Sequence, residues 1–208
     1  MRIIVAIFLF LLTLFIFVYI ADEVVLENET NFDQPIETAI SSYHSSRATA
    51  VMVFFTFFGS SAFLFPAYAL LIIYYWIRTN KKMALNVAAI GLTSTMALKI
   101  LKYLFQRNRP FDPLVRNVTG FSFPSGHSFS SFTFYGLIAY ILWQTPIARV
   151  WKITASVLLF LFASTIAFSR VYLQVHFPSD VVAGFCLSVV WLILSLWVLT
   201  KWKLTGSP

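Results

Sequence analysis

Long apolar runs alternate with short polar segments along the whole chain. A helix needs roughly 20 apolar residues to cross a hydrocarbon core of about 30 Å. We assign six windows to this class: Ile3–Ile20, Ala48–Ile77, Met83–Phe105, Ser128–Trp143, Ile153–Phe168 and Val181–Thr200. They lack the alternating pattern of barrel strands, and lipid offers the backbone no hydrogen-bond partner. The pattern therefore predicts an all-α polytopic membrane protein, a bundle of six transmembrane helices in a single domain over residues 1–208.

The composition indicates the same environment. Of the 208 residues, 59% are hydrophobic and only 11% are charged, whereas soluble domains carry roughly 25% charged residues. A cleaved signal peptide is an alternative for the first window, since Arg2 precedes its apolar run. The run is long, however, and bulky residues stand where a cleavage site needs small ones. We therefore expect this window to be retained as a membrane helix.

The charged residues divide between the two sides of the six-helix topology. On one side the helix ends carry cations, among them Arg78, Lys81 and Arg149, and no acidic residue. The other side receives every acidic residue. Cationic loops remain in the cytoplasm during insertion. We therefore expect both termini to be cytoplasmic. The net charge of +7 then reflects topology and a basic outer cluster, and no nucleic-acid partner is expected.

The first outer loop contains one candidate helix. The segment Phe32–Ser46 carries Ile36, Ile40 and Tyr43 at helical spacing, so a short helix in the outer interface and an ordinary connector both fit it. His44, in the same loop, has no matched partner in the sequence and is expected to be solvated.

Polar residues are concentrated in three outer stretches, and the first, KYLFQRNRP, closes helix three. Lys102 and Arg109 are seven residues apart, so a helix would place both cations on one face, where they can hold one anion. Pro110 would then stop the helix by disfavouring α geometry at Arg109. Cations at a helix end can also simply extend to the lipid headgroups. We assign that anchoring role to the other cations of the region: Lys99, Arg107 and Arg116.

The second stretch, PSGH, opens helix four. Ser125 can cap the helix, and Gly126 lets an anion approach the backbone. Free amides and the helix dipole favour negative charge at such a terminus. The stretch therefore predicts an anion site beside His127, although an ordinary capped helix start with an interfacial histidine fits the same residues.

The third stretch, SRVYLQVHFPSD, leads into helix six. His176 and Asp180 are four residues apart, with Pro178 suited to the first helical turn, so the carboxylate can reach one ring nitrogen. The other nitrogen is then left as a base or nucleophile. Arg170, on the preceding loop, adds a planar donor fork that matches phosphate oxygens. A histidine and an aspartate at this spacing also occur as a simple helix cap.

Together the three stretches predict a phosphoryl-transfer site at the outer ends of helices three, four and six. His176 would attack phosphorus, and His127 would protonate the leaving oxygen. Three cations would stabilise the equatorial charge: Lys102, Arg109 and Arg170. A two-metal mechanism needs clustered carboxylates, and after Glu37 the chain has only Asp112 and Asp180. Neither a metal nor another cofactor is expected.

The same residues resemble the three-part signature of the type 2 phosphatidic acid phosphatase family, whose fold core is shared with vanadium haloperoxidases. The matching positions are Lys102-x6-Arg109-Pro110, Pro124-Ser125-Gly126-His127 and Ser169-Arg170-x5-His176-x3-Asp180. The resemblance implies a metal-independent lipid phosphate phosphatase in which His176 forms a phosphohistidine, Asp180 orients it and His127 is the general acid. It also implies a set of phosphate-binding residues: Lys102, Arg109, Ser125, Gly126 through its backbone, and Arg170. Vanadate and phosphate analogues are expected to inhibit.

A site at the outer interface favours a lipid substrate, because the tail can stay in the bilayer while the phosphate enters the protein. Family members of this kind act on phosphatidylglycerophosphate, phosphatidic acid, undecaprenyl pyrophosphate or lipid A 1-phosphate, and the sequence selects none of them. A transporter would place charges nearer mid-membrane, on helices broken by Gly or Pro; only Gly59 and Pro66 suggest such a break. A non-catalytic lipid-phosphate-binding protein would need the cations but not two histidines with an orienting aspartate.

Overall fold

A computed structural model of the protein describes residues 2–26, 31–116 and 118–201. Throughout these ranges the regular structure is helical, with no β-strand. The α-helices follow in chain order: α1 (Arg2–Ile20), α2 (Asp33–Ser41), α3 (Ser46–Phe57), α4 (Ser61–Ile77), α5 (Lys81–Phe105), α6 (Gly126–Trp143), α7 (Arg149–Tyr172) and α8 (Pro178–Lys201). A π-helical segment, Ala21–Leu26, continues α1. The predicted all-α fold class is confirmed.

Among the described residues, five helical stretches are long and apolar enough to cross a membrane: Ile3–Val24, Ser46–Ile77, Lys81–Phe105, Arg149–Tyr172 and Pro178–Leu199. Many of their large apolar side chains face outward, and Leu70, Leu92 and Leu158 are each exposed by 60% or more. An extended apolar surface of this kind is favourable in lipid and unfavourable in water. The chain is therefore a multi-pass membrane protein.

The predicted fourth window corresponds to α6, which packs against α5, α7 and α8. Ser128, Ser131 and Thr133 are buried on this helix. Small hydroxyl residues of this kind allow neighbouring helices to approach closely, and they also lower the hydropathy of the segment. This is why α6 is not one of the five apolar stretches.

The second predicted window, Ala48–Ile77, is two helices in the structure, α3 and α4, so the prediction of one continuous helix is wrong. Ser60 caps α4 with its side chain. At Gly59 the chain packs so closely against α7 that an added Cβ would lie 2.5 Å from the side chain of Ile166. Pro66, by contrast, lies inside α4 without ending it. The break is therefore set by packing at Gly59.

The segment Phe32–Ser46 contains the predicted short helix, α2. It packs against α7 and α8, and Ile40 contacts the apolar cluster where α7 ends. Asp33 is the one buried residue of α2. The prediction for His44 is wrong, because its ring lies edge-on against that of Tyr172 with 4.9 Å between the centroids. The loop between α1 and α3 is thus folded onto the ends of α7 and α8.

The C-terminal ends of two helices and the N-terminal ends of two others lie at one end of the bundle, which we call the motif end. There α5 and α7 end, and α6 and α8 begin. The N–H of Ser125 donates to the carbonyl of Asp180 at 3.0 Å and joins the starts of α6 and α8. An apolar cluster containing Phe17, Phe123 and Leu187 packs α1 against the same region. The motif end is therefore a rigid setting for polar side chains.

Candidate active site

The three polar stretches of the sequence meet at the motif end. The Lys102 ammonium, near the end of α5, donates to the carbonyls of Phe121 at 2.6 Å and Ser122 at 3.1 Å, just before α6. The Arg109 guanidinium donates to the carbonyl of Val175 at 2.7 Å, between α7 and α8. The first stretch therefore contacts the third directly, and it contacts the segment that leads into the second.

Lys102 and Arg109 do not share a helical face, so that prediction is wrong. The helix α5 ends at Phe105, and Gln106 is left-handed (φ 47°), with its N–H bonded to the Lys102 carbonyl at 3.0 Å. A left-handed residue of this kind ends a helix by satisfying one of its last carbonyls. Arg109 therefore reaches the site from a separate non-helical segment, and Pro110 does not terminate the helix.

The PSGH stretch forms the start of α6. The Ser125 hydroxyl oxygen accepts from the N–H of Ser128 at 3.4 Å and caps the helix, as predicted. A Cβ on Gly126 would lie 3.3 Å from the side chain of Leu98, so glycine keeps the first turn narrow where it faces α5. His127 follows and borders a cavity of about 130 Å³ between α4, α5 and α6.

His176 lies between α7 and α8 and is only 2% exposed. Its Nδ1 is 3.4 Å from Oδ2 of Asp180 and 3.2 Å from the hydroxyl oxygen of Ser122, and its Nε2 is 3.2 Å from Arg109. Burial lowers the pKa of His176 to about 3, against the opposing effect of Asp180. The ring is therefore neutral at physiological pH. With Nδ1–H directed at Asp180, the lone pair belongs to Nε2.

The Asp180 carboxylate is fully buried and is held through both oxygens. Oδ2 accepts from the Ser122 hydroxyl and from the N–H of Phe177 at 3.0 Å. Oδ1 accepts from Arg107 at 2.7 Å. Because every one of these bonds fixes the plane of the carboxylate, Oδ2 stays directed at His176.

Three cations border this histidine and together form what we call the cationic pocket: Lys102, Arg109 and Arg170. Lys102 donates only to backbone carbonyls, and Arg109 donates to carbonyls and to His176. Arg170 is 6% exposed, and it donates to the hydroxyl of Thr56 at 2.5 Å, while its Nε has no hydrogen-bond partner among the described residues. The prediction of a loop position for Arg170 is wrong, because α7 continues to Tyr172.

The cationic pocket has no negative partner of its own. Within the described ranges, none of its three cations forms an ion pair with an aspartate or glutamate. Burial lowers the pKa of Arg109, with Asp180 opposing the shift. Charges taken out of water are costly unless a counter-charge compensates them. The pocket is therefore suited to hold a compact anion beside Nε2 of His176.

His127 belongs to the same charged neighbourhood. It lies within electrostatic range of Arg170, His176 and Arg109. Two imidazoles beside an anion-binding pocket can attack a bound phosphoryl group and supply a proton to the group that leaves. In residues 2–26, 31–116 and 118–201, no three His, Cys, Asp or Glu side chains are grouped as they would be around a metal ion.

Several polar residues of this region could not be recognised from the sequence. Arg107, assigned to membrane anchoring, instead bridges Asp33 and Asp180 at 2.8 and 2.7 Å, so that assignment is wrong. Asp33, one of the acidic residues of the first outer loop, is buried. Ser122 and Thr56 carried no signal in the sequence. Residues two apart lie on the same side of an extended segment, so the spacing alone could not have separated Arg107 from Arg109.

Comparison with known proteins finds membrane phosphatases that are similar to this chain in sequence and in fold. The family model of the PAP2 superfamily matches residues 81–204. Phosphatidylglycerophosphatase B of Bacillus subtilis is 32% identical over 160 residues, 76% of this chain and 78% of that protein. Undecaprenyl-diphosphatase of Sulfolobus acidocaldarius is 27% identical over 167 residues, 77% of this chain and 75% of that protein. The crystal structure of a transmembrane PAP2-type phosphatidylglycerolphosphate phosphatase from Bacillus subtilis superposes with a TM-score of 0.81 at 28% identity, covering 97% of each chain.

Proposed function

Because this chain belongs to the PAP2 superfamily, we propose that it is a membrane lipid phosphatase that hydrolyses a lipid phosphomonoester or pyrophosphate. The observation that carries the proposal is the cationic pocket, whose cations have no carboxylate partner among the described residues. A neutral imidazole nitrogen lies against it, 3.2 Å from Arg109. A bound phosphate would compensate the buried positive charge and lie within reach of that nitrogen.

In the first step Nε2 of His176 attacks phosphorus, the P–O bond to the lipid breaks, and a phosphohistidine forms. Asp180 holds the Nδ1 side of the ring, 3.4 Å away, and stabilises the positive charge that develops on it. His127 donates a proton to the leaving oxygen. The lipid alcohol, or the lipid monophosphate in the case of a pyrophosphate, is the first product.

In the second step water attacks the phosphohistidine. His127, which gave up its proton in the first step, accepts one from the water as the P–O bond forms. The P–N bond breaks, inorganic phosphate leaves, and both histidines return to their starting states. No step requires a metal ion, because the cationic pocket supplies the positive charge at phosphorus.

The phosphate oxygens are bound by the cationic pocket and by the start of α6. Lys102, Arg109 and Arg170 provide charged donors, and the Ser125 hydroxyl and the Gly126 backbone provide neutral ones. The N-terminus of a helix adds its own attraction for an anion. Vanadate, which adopts the geometry of the phosphoryl transition state, is expected to inhibit at this position.

A groove between α4 and α5 supports a lipid substrate over a soluble ester. The groove has a volume of about 420 Å³ and a mainly apolar lining. Phe65, Tyr68 and Thr95 line both this groove and the cavity beside His127. An acyl or prenyl chain can therefore extend from the reacting phosphate into the apolar surface of the bundle without leaving the bilayer.

We also propose that the single domain crosses the membrane six times, with α3 and α4 as one crossing and α6 as another. Both termini are then cytoplasmic and the motif end faces outward. The cations Arg78, Lys81 and Arg149, at the end opposite to the motif end, support this orientation. Glu27 and Glu29, which belong to the outer loop in this topology, lie outside the described residues.

Thiol labelling tests the orientation. The only cysteine, Cys186, is buried, so the wild-type protein gives a low background. Asp112→Cys and Lys81→Cys place one thiol at each end, and both positions are exposed. A membrane-impermeant maleimide applied to intact cells is expected to label Asp112→Cys only. Labelling of Lys81→Cys alone would reverse the orientation.

A substrate panel tests the activity. Purified protein in detergent is given phosphatidylglycerophosphate, phosphatidic acid, undecaprenyl pyrophosphate and lipid A 1-phosphate in turn, with and without chelator. We expect phosphate release from at least one of the four, unchanged by the chelator and inhibited by vanadate. Absence of release from all four would contradict the phosphatase, and release that needs a divalent ion would contradict the metal-free mechanism.

A further inference from the structure

A buried ion-pair network lies next to the candidate active site, on the side away from the cationic pocket. Arg107 donates through Nη1 to Oδ1 of Asp180 at 2.7 Å and through Nη2 to Oδ2 of Asp33 at 2.8 Å. The side chains are 12%, 0% and 1% exposed for Arg107, Asp180 and Asp33. One guanidinium therefore joins two carboxylates that are separated by most of the chain.

Asp33 also holds the first turn of α8. Its Oδ1 accepts from the N–H of Ser179 at 2.8 Å, and its Oδ2 accepts from the Ser179 hydroxyl at 2.7 Å. A carboxylate at a helix N-terminus satisfies free amides and interacts favourably with the helix dipole. Asp180 is the next residue along that turn, so the position of its carboxylate depends on where Asp33 holds the backbone.

Two further contacts hold the Arg107 guanidinium in position. Its Nη1 also donates to the Ser179 hydroxyl at 2.8 Å, and its central carbon lies 4.0 Å from the centroid of the Phe177 ring. A planar fork that donates to two carboxylates while stacking on a ring cannot be reproduced by a lysine ammonium. We call Arg107, Asp33, Asp180 and Ser179 the Arg107 network.

We propose that Arg107 and Asp33 are positioning residues for the hydrolytic reaction, holding the Asp180 carboxylate so that it orients His176. Arg107 fixes Oδ1 of Asp180, which leaves Oδ2 directed at Nδ1 of His176. Asp33 fixes Arg107 and the first turn of α8. The inference rests on the proposed function, and it makes α2 part of the catalytic apparatus, because α2 carries Asp33.

The Arg107 network acts on the orientation of Asp180 and His176, whereas the cationic pocket acts on the binding of phosphate. Arg107 uses both of its terminal nitrogens on protein carboxylates, whereas Arg109 donates to carbonyls and to the nucleophilic nitrogen. Loss of Arg107 should therefore slow the chemical steps without weakening the hold on phosphate. In kinetic terms, kcat should fall while KM and the affinity for inorganic phosphate stay near their original values.

The test uses three variants of the full-length protein in detergent and two matched controls. The variants are Arg107→Met, Arg107→Lys and Asp33→Asn. The controls, Arg116→Met and Asp112→Asn, make similar changes at exposed positions of the segment between α5 and α6. For each, kcat and KM are measured on the best lipid substrate of the wild type, and inorganic phosphate is titrated as a competitive inhibitor.

We expect kcat of Arg107→Met to fall about 10- to 100-fold, the range found when a hydrogen-bond partner that orients a metal-ligating side chain is removed, with KM and the phosphate inhibition constant within roughly threefold. Arg107→Lys should recover only part of the loss. Asp33→Asn should lower kcat about tenfold, and the controls should match the wild type. A kcat within twofold of the wild type in both Arg107→Met and Asp33→Asn overturns the proposal. So does a loss matched by equally weaker phosphate inhibition, which would make Arg107 a phosphate ligand.

Size-exclusion chromatography identifies a variant that does not fold. If Arg107→Met is not monodisperse, the isosteric Asp33→Asn decides, with a selective loss of kcat supporting the proposal and wild-type kinetics overturning it. Turnover by the wild-type protein distinguishes failure of the proposed function from failure of the proposed role of Arg107 and Asp33. Without wild-type turnover on any of the four lipids, the proposed function fails. With wild-type turnover and undiminished variants, only the role of Arg107 and Asp33 fails.

Discussion

The cationic pocket and the Arg107 network lie on either side of His176, and they treat positive charge in opposite ways. In the pocket, Arg170 is buried with a hydroxyl as its acceptor, and one of its nitrogens has no partner in the part of the chain that the structure describes. In the network, Arg107 is bonded to two buried carboxylates. A buried cation with only neutral partners indicates a place for an external anion, whereas a buried cation between carboxylates serves the protein itself.

Arg107 and Arg109 make the contrast sharpest, because only one residue separates them. Arg107 faces Asp180, and Arg109 faces Nε2 of His176. The non-helical backbone after Gln106 sends the two side chains to opposite sides of the same histidine. In the proposed mechanism, Arg107 therefore acts on the carboxylate that orients the ring, and Arg109 acts on the phosphoryl group that the ring attacks.

His176 stands between the two regions, and its removal has the largest expected effect. We expect His176→Ala to lower phosphate release about 10⁴-fold or more, because the nucleophile is lost. Both regions remain, so inorganic phosphate should still raise the unfolding temperature of the variant. The measurements are phosphate release and thermal unfolding with and without phosphate, with His44→Ala as a histidine control that lies against Tyr172. Undiminished turnover in His176→Ala would contradict the assignment of His176 as the nucleophile.

Methionine substitutions at Arg107 and Arg170 test the difference in pairing directly. Arg107→Met leaves two buried carboxylates without their cation, and we expect the free energy of unfolding to fall by about 3–5 kcal/mol. Arg170→Met removes a buried cation that has no carboxylate partner within residues 2–26, 31–116 and 118–201, so the unfolding temperature of this variant should not fall. Thermal unfolding in one detergent compares the two variants. Equal destabilisation of both would remove the distinction between the pocket and the network.

The neutral ring of His176 predicts a pH dependence of stability. Its pKa is about 3 in the folded protein against an ordinary value of 6.5, so between these values the unfolded chain binds a proton that the folded chain does not. Stability should therefore rise with pH through this window and be lost as the pH falls from 6.5, by up to about 1.4 kcal/mol per pH unit. Unfolding temperatures from pH 7 to pH 4.5 should fall less in His176→Gln than in the wild type. An identical slope would contradict a buried neutral ring.

The helices could be predicted from the sequence because apolar runs report burial in lipid directly. Their ends and breaks could not. The end of α5 depends on the left-handed backbone of Gln106, and the break between α3 and α4 depends on the approach of Gly59 to Ile166. Both features arise only in the folded chain. A glutamine or a glycine in an apolar run does not by itself predict a helix end or a helix break.

The cationic pocket could be predicted from the sequence, whereas the Arg107 network could not. The residues of the pocket stand out in the sequence, because a lysine, an arginine or a histidine is unusual beside apolar helices. The partners that complete the network do not, since Asp33 bonds Ser179 across 146 positions of the chain. Spacing reveals pairs that are close together in the chain, such as His176 and Asp180, and it gives no information about partners that only the fold brings together.

Thr56 completes the comparison with the smallest expected effect, because it is a neutral acceptor for a pocket cation. Thr56→Val removes the hydroxyl that accepts from Arg170 at 2.5 Å, and we expect kcat/KM to fall roughly tenfold. Thr56→Ser keeps the hydroxyl and should retain most of the activity. Steady-state kinetics on the same lipid compares the two. Because a hydroxyl orients a cation without neutralising it, the loss in Thr56→Val should appear in KM, whereas the loss in Asp33→Asn should appear in kcat; the same pattern in both would mean that the pocket and the network act alike.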